Sequence, residues 1–501
     1  LTAHQSIDGL FKLLYVLAVP QQTNNQKDSI MPKDLSKAQL YAFAEREREH
    51  YEALLKTFVE IPTVSVDPLH KLDIRKGVEL AAETIHRFGG EAQIYETGGG
   101  YPIIQGVFDA DADFPTVTIY NHMDVQPASK ETEPWETEPF VFTRKGDRYF
   151  GRGTTDDKGP ALAALFGARA AREAGVPVNI RLLWEFEEEI GSPNFETGIK
   201  AVADQLSTGS VVVSDTVWVS RKRPACPSGL RGLLGLRFTL ETGTTDQHSG
   251  EVGGAARNPL GELMKLACDI YDPITGKVKV PGFYDDVAKP TKKELEDFMG
   301  SGFSVRAFKK DHLLKSLRTE DPLEVMKRIW TLPTFEIHGM VGGYTGPGLK
   351  SIVPPRAELK ATCRLVPDQK PEKIARLIKA FVKERYKGVV VHVEGTAAPY
   401  KSATTGPLAE AVKRAVKFAF GREPVFVREG GTIGAIKTME DVLKCPVMFL
   451  GLSLPEHGYH APNENFDWQQ ASGGMVAFAK YLEEVSRLGR DQKSSGFGGI
   501  V

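Results

Sequence analysis

Five short stretches carry residues whose types and spacing could do chemistry. They are Asn121-His122-Met123-Asp124, Gly151-Arg152-Gly153-Thr154-Thr155-Asp156-Asp157-Lys158-Gly159, Glu187-Glu188-Glu189, Ser214-Asp215 and His460-Ala461-Pro462-Asn463-Glu464. Two imidazoles with several carboxylates make a mixed nitrogen and oxygen donor set. Such a set suits Zn²⁺ or a neighbouring divalent metal better than Ca²⁺ or Mg²⁺. In an extended segment residues i and i+2 point to one side. Asp124 can therefore sit beside His122 and accept its spare N–H, fixing the tautomer of a metal-bound imidazole. A solvated His–Asp pair would look the same in isolation, and Asp156 or Asp157 could simply complement a helix macrodipole. Two adjacent Asp in a Gly-rich turn, lying between two other candidate segments, are less ordinary, and a carboxylate there could bridge two cations. In Glu188-Glu189 one carboxylate could bind metal while the other works on water, since a general base must not be consumed as a ligand. The plainer reading of so short an acidic run is a solvated turn.

These residues need elements to position them, and the pattern supplies strands that end just before them. Strands are expected at Thr116–Tyr120, Ile180–Phe186, Val211–Ser214 and Val447–Leu450. Helices are expected at Ala38–Val59, Gly77–Phe88, Pro160–Ala174 (with Pro in its first turn) and Leu408–Phe420. The alternation implies an α/β fold with a mostly parallel sheet flanked by helices, whose strand carboxyl ends are where ligands bind. Between these parts the order is strand Leu233–Leu240, helix Pro259–Tyr271, strand Thr334–Met340, strand Arg356–Leu365, helix Pro371–Tyr386, strand Val389–Val393. That β-α-β-β-α-β order predicts an inserted α+β, ferredoxin-like domain. The expected organisation is a poorly ordered leader over 1–36, a catalytic domain in two parts (37–229 and 399–489), an inserted domain over 230–398 with an insertion at 272–330, and a tail over 490–501. Met31 is a candidate start.

Composition narrows the partners. The 501 residues hold 63 Lys plus Arg against 65 Asp plus Glu, a formal charge of −2. Nucleic acids and anionic membranes select for a basic excess, so neither is an expected partner. No apolar run is long enough to cross a membrane. Leu10–Val19 is interrupted by Lys12 and follows no positive charge, unlike a signal peptide. The cysteines Cys226, Cys268, Cys363 and Cys445 lie far apart, which argues against a disulfide scaffold or thiolate zinc site and suits a cytoplasmic protein. Gly151-x-Gly153-x-x-Asp156 lacks the third glycine of a dinucleotide fingerprint, and Gly343 to Ser351 is one residue off a phosphate loop. No Gly-x-Ser-x-Gly elbow occurs.

The five segments, in this order, resemble those of the co-catalytic di-metal peptidase clan of aminoacylases, glutamate carboxypeptidases and carnosinases. They are most similar to the carnosinase-like dipeptidases. Trp135-Glu-Thr-Glu-Pro-Phe140, Pro281-Gly-Phe-Tyr-Asp-Asp286, Arg364-Leu-Val-Pro-Asp368 and Arg428-Glu-Gly-Gly431 extend the likeness, which runs from about Ala42 to Leu488. The resemblance implies two divalent ions per subunit, Zn²⁺ first and Mn²⁺ second. His122, Glu189, Asp215 and His460 would be terminal ligands and Asp156 the bridge. Asp124 would orient His122, and Glu188 would be the general base for a water shared by the metals. Asp157 is not a ligand in the family, and a helix cap or supporting role is expected for it. His248 would reach the partner subunit's active site and stabilise the oxyanion, which implies a homodimer. The inserted domain would then serve as lid and dimerisation domain. Arg364 would hold the substrate's terminal carboxylate, a role suited to its planar fork. Thr432 would bind substrate where relatives commonly carry Ser.

Dipeptides or short peptides with a free carboxylate are the implied substrates. An N-acyl-amino-acid amidohydrolase (deacetylase or desuccinylase type) of the same fold would use the same metal residues, so only features outside the centre separate the two. A non-catalytic binding relative would be signalled by a lost ligand or base, and none is missing.

Overall fold

The computed structural model describes residues 34–495. The leader expected over 1–36, with Leu10–Val19 and Met31, falls outside it save for its last three residues. Ser36 caps the first helix, Lys37–Val59, by accepting the N–H of Gln39. The last helix runs from Trp468 to Ser495 and so extends into 490–501, where a tail was expected. Each added residue of a helix contributes a hydrogen bond at little further cost, so a well-packed helix readily outruns its apolar stripe. Residues 496–501 lie outside the described chain.

The central sheet has six strands in the order Glu91–Tyr95, Ile103–Phe108, Asn179–Glu185, Thr116–His122, Ser210–Val213, Val447–Phe449. The last three pairings are parallel and the first two antiparallel. Val117, Ile119, Ile180, Leu182, Val211, Val212 and Val213 are all buried. Such continuous apolar runs are what strands covered on both faces require. Helix Lys158–Glu173 is buried along nearly its whole length. It starts two residues before Pro160, which is tolerated because the first N–H groups of a helix have no intrahelical acceptor.

A second sheet has four strands in the order Glu336–Gly342, Arg356–Leu365, Gly232–Glu241, Val390–Ala397, all antiparallel. With helices Pro259–Ile270 and Pro371–Arg385 it forms its own core around Leu234, Leu236, Phe238, Leu263, Leu359 and Ile378. The β-α-β-β-α-β order is therefore realised with the two helices on one face. Asn258 caps the first of these helices, accepting from Leu260 and Gly261, with Pro259 at its first position.

The 272–330 stretch divides. Val278, Val280 and Phe283 join that second core. Phe298, Met326 and Trp330, from helices Lys292–Gly300 and Pro322–Trp330, pack instead on Trp218, Ala225, Val425 and Val427. These belong to or adjoin a small sheet of Tyr400–Lys401, Ala225–Leu230 and Val425–Glu429, which sequence patterning did not reveal.

Candidate metal centre

Register places the chemistry. In the parallel pairing of Thr116–His122 with Asn179–Glu185, His122 stands opposite Glu185. Tyr120 stands opposite Val213 on the other side. Three neighbouring strands thus end level, delivering His122, the turn of Glu188 and Glu189, and Asp215 to one rim. Asp156 arrives from the turn preceding helix Lys158–Glu173. His460 arrives from the loop after Val447–Phe449, in the left-handed region at φ 53°. A non-glycine residue held there costs about 1 kcal/mol or more, and such outliers cluster at functional sites.

Two groups of donors result. His122 Nε2 lies 3.0 Å from Asp156 Oδ1 and 3.8 Å from Asp215 Oδ2. His460 Nε2 lies 2.9 Å from Asp156 Oδ2 and 3.1 Å from Glu189 Oε2. The two oxygens of Asp156 therefore face different imidazoles, one on each side. Asp156 Oδ2 is buried and has no hydrogen-bond donor despite the nearness of His460. Acceptors crowded together without a donor between them are what a cation would be expected to fill.

Electrostatics agree. Burial first, then neighbouring carboxylates, push Glu189 up to about 7 and Asp215 up to about 6. Glu188 is raised well above the usual carboxylate range by burial, with Asp215, Glu189 and Glu185 adding to the shift and His122 opposing it. Burial also raises Asp156, but the two imidazoles outweigh it and hold that carboxyl low. Four carboxylates with two imidazoles carry an excess of negative charge in a buried place, so the residues present fit a pair of divalent cations.

Glu188 lies with His122 and Asp215 in one potential donor group, while Asp156, Glu189 and His460 form the other. The expected pairing of His122 with Asp124 takes a modified form. His122 Nδ1 faces the Asp124 backbone carbonyl at 3.0 Å and the carboxylate Oδ1 at 3.4 Å. That carboxylate chiefly accepts the backbone N–H groups of Glu188 (3.2 Å) and Glu189 (3.1 Å), so Asp124 also fixes the turn carrying both glutamates. Asp157 stands at the helix N-cap without capping it; Asn121 Nδ2 donates to its carboxylate at 2.6 Å.

Several supporting residues escaped the sequence reading. Gln126 donates from its backbone N (3.0 Å) and its side chain (2.6 Å) to the Glu189 carboxylate. Tyr459 donates its hydroxyl to Asp215 Oδ1 at 2.9 Å. Glu464 is buried and accepts from Arg152 Nη1 (2.7 Å) and from the backbone N–H of Gly153, Thr155 and Asp156 (2.9 to 3.1 Å). It thereby ties the His460 loop to the loop presenting Asp156. Glu429 is pushed up to about 8 by burial and by Asp215. The only sequence signals were nearness to His122 or His460 for Gln126 and Tyr459, the His460–Glu464 segment for Glu464, and the Arg428-Glu-Gly-Gly431 motif for Glu429.

Arg364 and Thr432 meet each other, with Arg364 Nη1 donating to Thr432 Oγ1 at 2.7 Å. His248 belongs to neither group. It pairs with Ile352 in a two-stranded ribbon, is exposed, and accepts the N–H of Gly250 through Nδ1 at 2.9 Å.

Residues 118–484 match the model of peptidase family M20/M25/M40. The chain belongs to this family. It is 30% identical to the Cys-Gly metallodipeptidase dug1 of Schizosaccharomyces pombe, over 91% of this chain and 99% of that protein. It is 29% identical to the Beta-Ala-His dipeptidase of Rattus norvegicus, over 91% and 96%. Among solved structures, the di-peptidase Dug1p of Saccharomyces cerevisiae superposes with a TM-score of 0.80 at 28% identity, covering 90% of this chain and 99% of that one. This M20-family chain is a metallopeptidase, a hydrolase of peptide bonds. Its acidic and histidine donors are grouped for a di-metal site. No helix among the described residues is long and apolar enough to cross a membrane.

Proposed function

We propose that the protein hydrolyses the amide bond of dipeptides or short peptides with a free carboxylate. The observation that carries this reading is the placement of Asp156 between His122 and His460, with Glu188 beside His122 and Asp215, in a chain whose full-length relatives are dipeptidases. His122 and Asp215 would hold one divalent cation, His460 and Glu189 the other, and Asp156 both. Zn²⁺ suits this donor set best, with Mn²⁺ the alternative. Two such cations, when bound, activate a water and offset the charge that develops on the attacked carbonyl. Glu188 takes the water's proton and returns it to the leaving amine, a task suited to a carboxyl raised by burial. Asp124 steadies both His122 and the Glu188–Glu189 turn. Arg364 and Thr432 receive the substrate's terminal carboxylate. His248, exposed on its ribbon, reaches the partner's site in a homodimer. In this reading 37–229 and 399–489 form the catalytic domain and 230–398 the lid, and the four unpaired thiols suit the cytoplasm.

The test loads the protein with Zn²⁺ or Mn²⁺ and offers unblocked dipeptides with matched N-acetyl amino acids, read by mass spectrometry. Disappearance of the dipeptides alone is expected. Disappearance of the acetylated set alone would move the protein to the deacylases. Glu188→Ala should retain both metals and lose at least about 100-fold in kcat. Appreciable turnover in that variant removes Glu188 from the role of base.

A further inference from the structure

Register brings Arg231, at the foot of one strand, close to Arg364, at the end of its neighbour, and neither forms an ion pair with a described residue. Arg231 directly precedes strand Gly232–Glu241, and Gly232 pairs with Leu365, the residue after Arg364. Thr432 links the two: its hydroxyl accepts from Arg364 Nη1 at 2.7 Å and donates to the Arg231 carbonyl at 2.5 Å. The Arg231 side chain lies along the glycine turn, with Nε donating to Gly430 O at 3.1 Å and the backbone N donating to Gly431 O at 3.0 Å. A Cβ on Gly430 would come within 3.0 Å of Arg231 Nη2, so a side chain there would crowd the guanidinium.

Both arginines are partly buried. Burial, and then the charge of Arg364, push Arg231 down to about 10. Glu336 acts on Arg231 in the opposite sense, but its carboxylate lies beside Arg318, at 3.9 Å. Neither guanidinium forms an ion pair with a described residue. Two like charges withdrawn from water and set side by side are unfavourable until an anion joins them. The guanidinium fork matches a carboxylate in shape as well as in sign.

The geometry points to Arg231 as the second guanidinium of an anion clamp, which with Arg364 and Thr432 grips the free carboxylate at the substrate's C-terminal end. This assignment rests on the dipeptidase reading and adds a residue to it. It also sets a polarity: the clamp demands a free carboxylate on the leaving side, so peptides blocked there are poor substrates whatever their side chains.

The experiment compares Ala-Gly with Ala-Gly amide on metal-loaded wild type, Arg231→Gln and Arg231→Lys. Amidation should cost the wild type about 10- to 100-fold in kcat/KM, the range of a lost charge-assisted hydrogen bond or two. Arg231→Gln should lose a similar factor on Ala-Gly, mainly through KM, and then discriminate little between acid and amide. Arg231→Lys should recover part of the preference. Equal losses on both substrates, or no loss on either, overturn the clamp. N-acetylglycine and N-acetylglycinamide provide a second readout that needs no turnover. The acid alone should raise the melting temperature of the wild type, and that shift should vanish in Arg231→Gln and persist in part in Arg231→Lys. If the acid-selective shift is absent from the wild type or survives in Arg231→Gln, the clamp fails. If the wild type cleaves no dipeptide yet shows the shift and its loss in Arg231→Gln, the dipeptidase reading fails and the clamp stands.

Discussion

Asp124 illustrates how one carboxylate can serve several neighbours. It lies against His122 and accepts the N–H groups of both Glu188 and Glu189, so its removal disturbs a proposed metal ligand on each side and the proposed base between them. Asp124→Ala should weaken metal binding about 10- to 100-fold, the usual cost of losing a group that orients a ligand, as read by titration with a metal-competing chelator. Unchanged affinity would confine Asp124 to the turn. Most of the centre could be read from the sequence because His122, Asp156, Glu189 and Asp215 each lie within a few residues of a strand end or a helix start, whereas His460 sits in a loop eleven residues past its strand. Tyr459 and Gln126 could not, since a hydroxyl beside a histidine, or an amide two residues past an aspartate, has no distinguishing spacing. Glu464 was visible only as part of a motif. Its partners lie about three hundred residues earlier in the chain, and nothing in its surroundings announces four donors.

The helix Lys292–Gly300 lies in the stretch expected as an insertion of the second domain, yet it is fastened to the strand that leads to the glycine turn. Glu294 accepts from Arg428 Nε (3.1 Å) and Nη2 (2.6 Å), lies 3.2 Å from Lys401 Nζ, and closes a capping box with Thr291. Burial raises this carboxyl, but the Thr291 N–H, Arg428 and Lys401 outweigh it and bring it down to about 2. Because the folded value lies below the ordinary 4.5, the stabilisation is complete above pH 4.5 and fades as pH falls through the folded value near 2. Glu294→Gln should lose about 3 kcal/mol at neutral pH, since it leaves Arg428 buried and uncompensated. Its urea midpoint should also vary less between pH 4.5 and 2 than that of the wild type. Identical pH profiles would contradict the argument. The sequence marked 272–330 as an insertion but not where its helices pack, because Phe298 and Trp330 would suit either core.

For the whole chain, the proposed ions and the proposed partner subunit set the tests. Dialysis against a chelator should abolish activity and lower the melting temperature, because the clustered carboxylates lose their counter-charges. Saturating metal at about 1,000 times its Kd is worth roughly 4 kcal/mol, and re-addition should restore both properties. Sedimentation should give twice the monomer mass. Glu188→Ala and His248→Ala, each inactive alone, should regain activity when mixed and allowed to exchange subunits, because one site in the hybrid has both an intact base and an intact partner histidine. No recovery in demonstrated hybrids would place His248 outside the partner's site.

The amino-acid order alone gave the donor types, their approach to strand ends, the alternation that makes the central sheet, and the β-α-β-β-α-β segment. All of these follow from spacing within some ten to twenty residues, where periodicity and turn chemistry act. Folding supplied what depends on distant partners: which imidazole shares which oxygen of Asp156, how Glu464 joins two loops, and where the 292–330 helices pack. The meeting of Arg231 with Arg364 is of the same kind. It arises from strand register and from a glycine turn some two hundred residues downstream of Arg231, and register is set by burial of a whole sheet face rather than by any local run of residues.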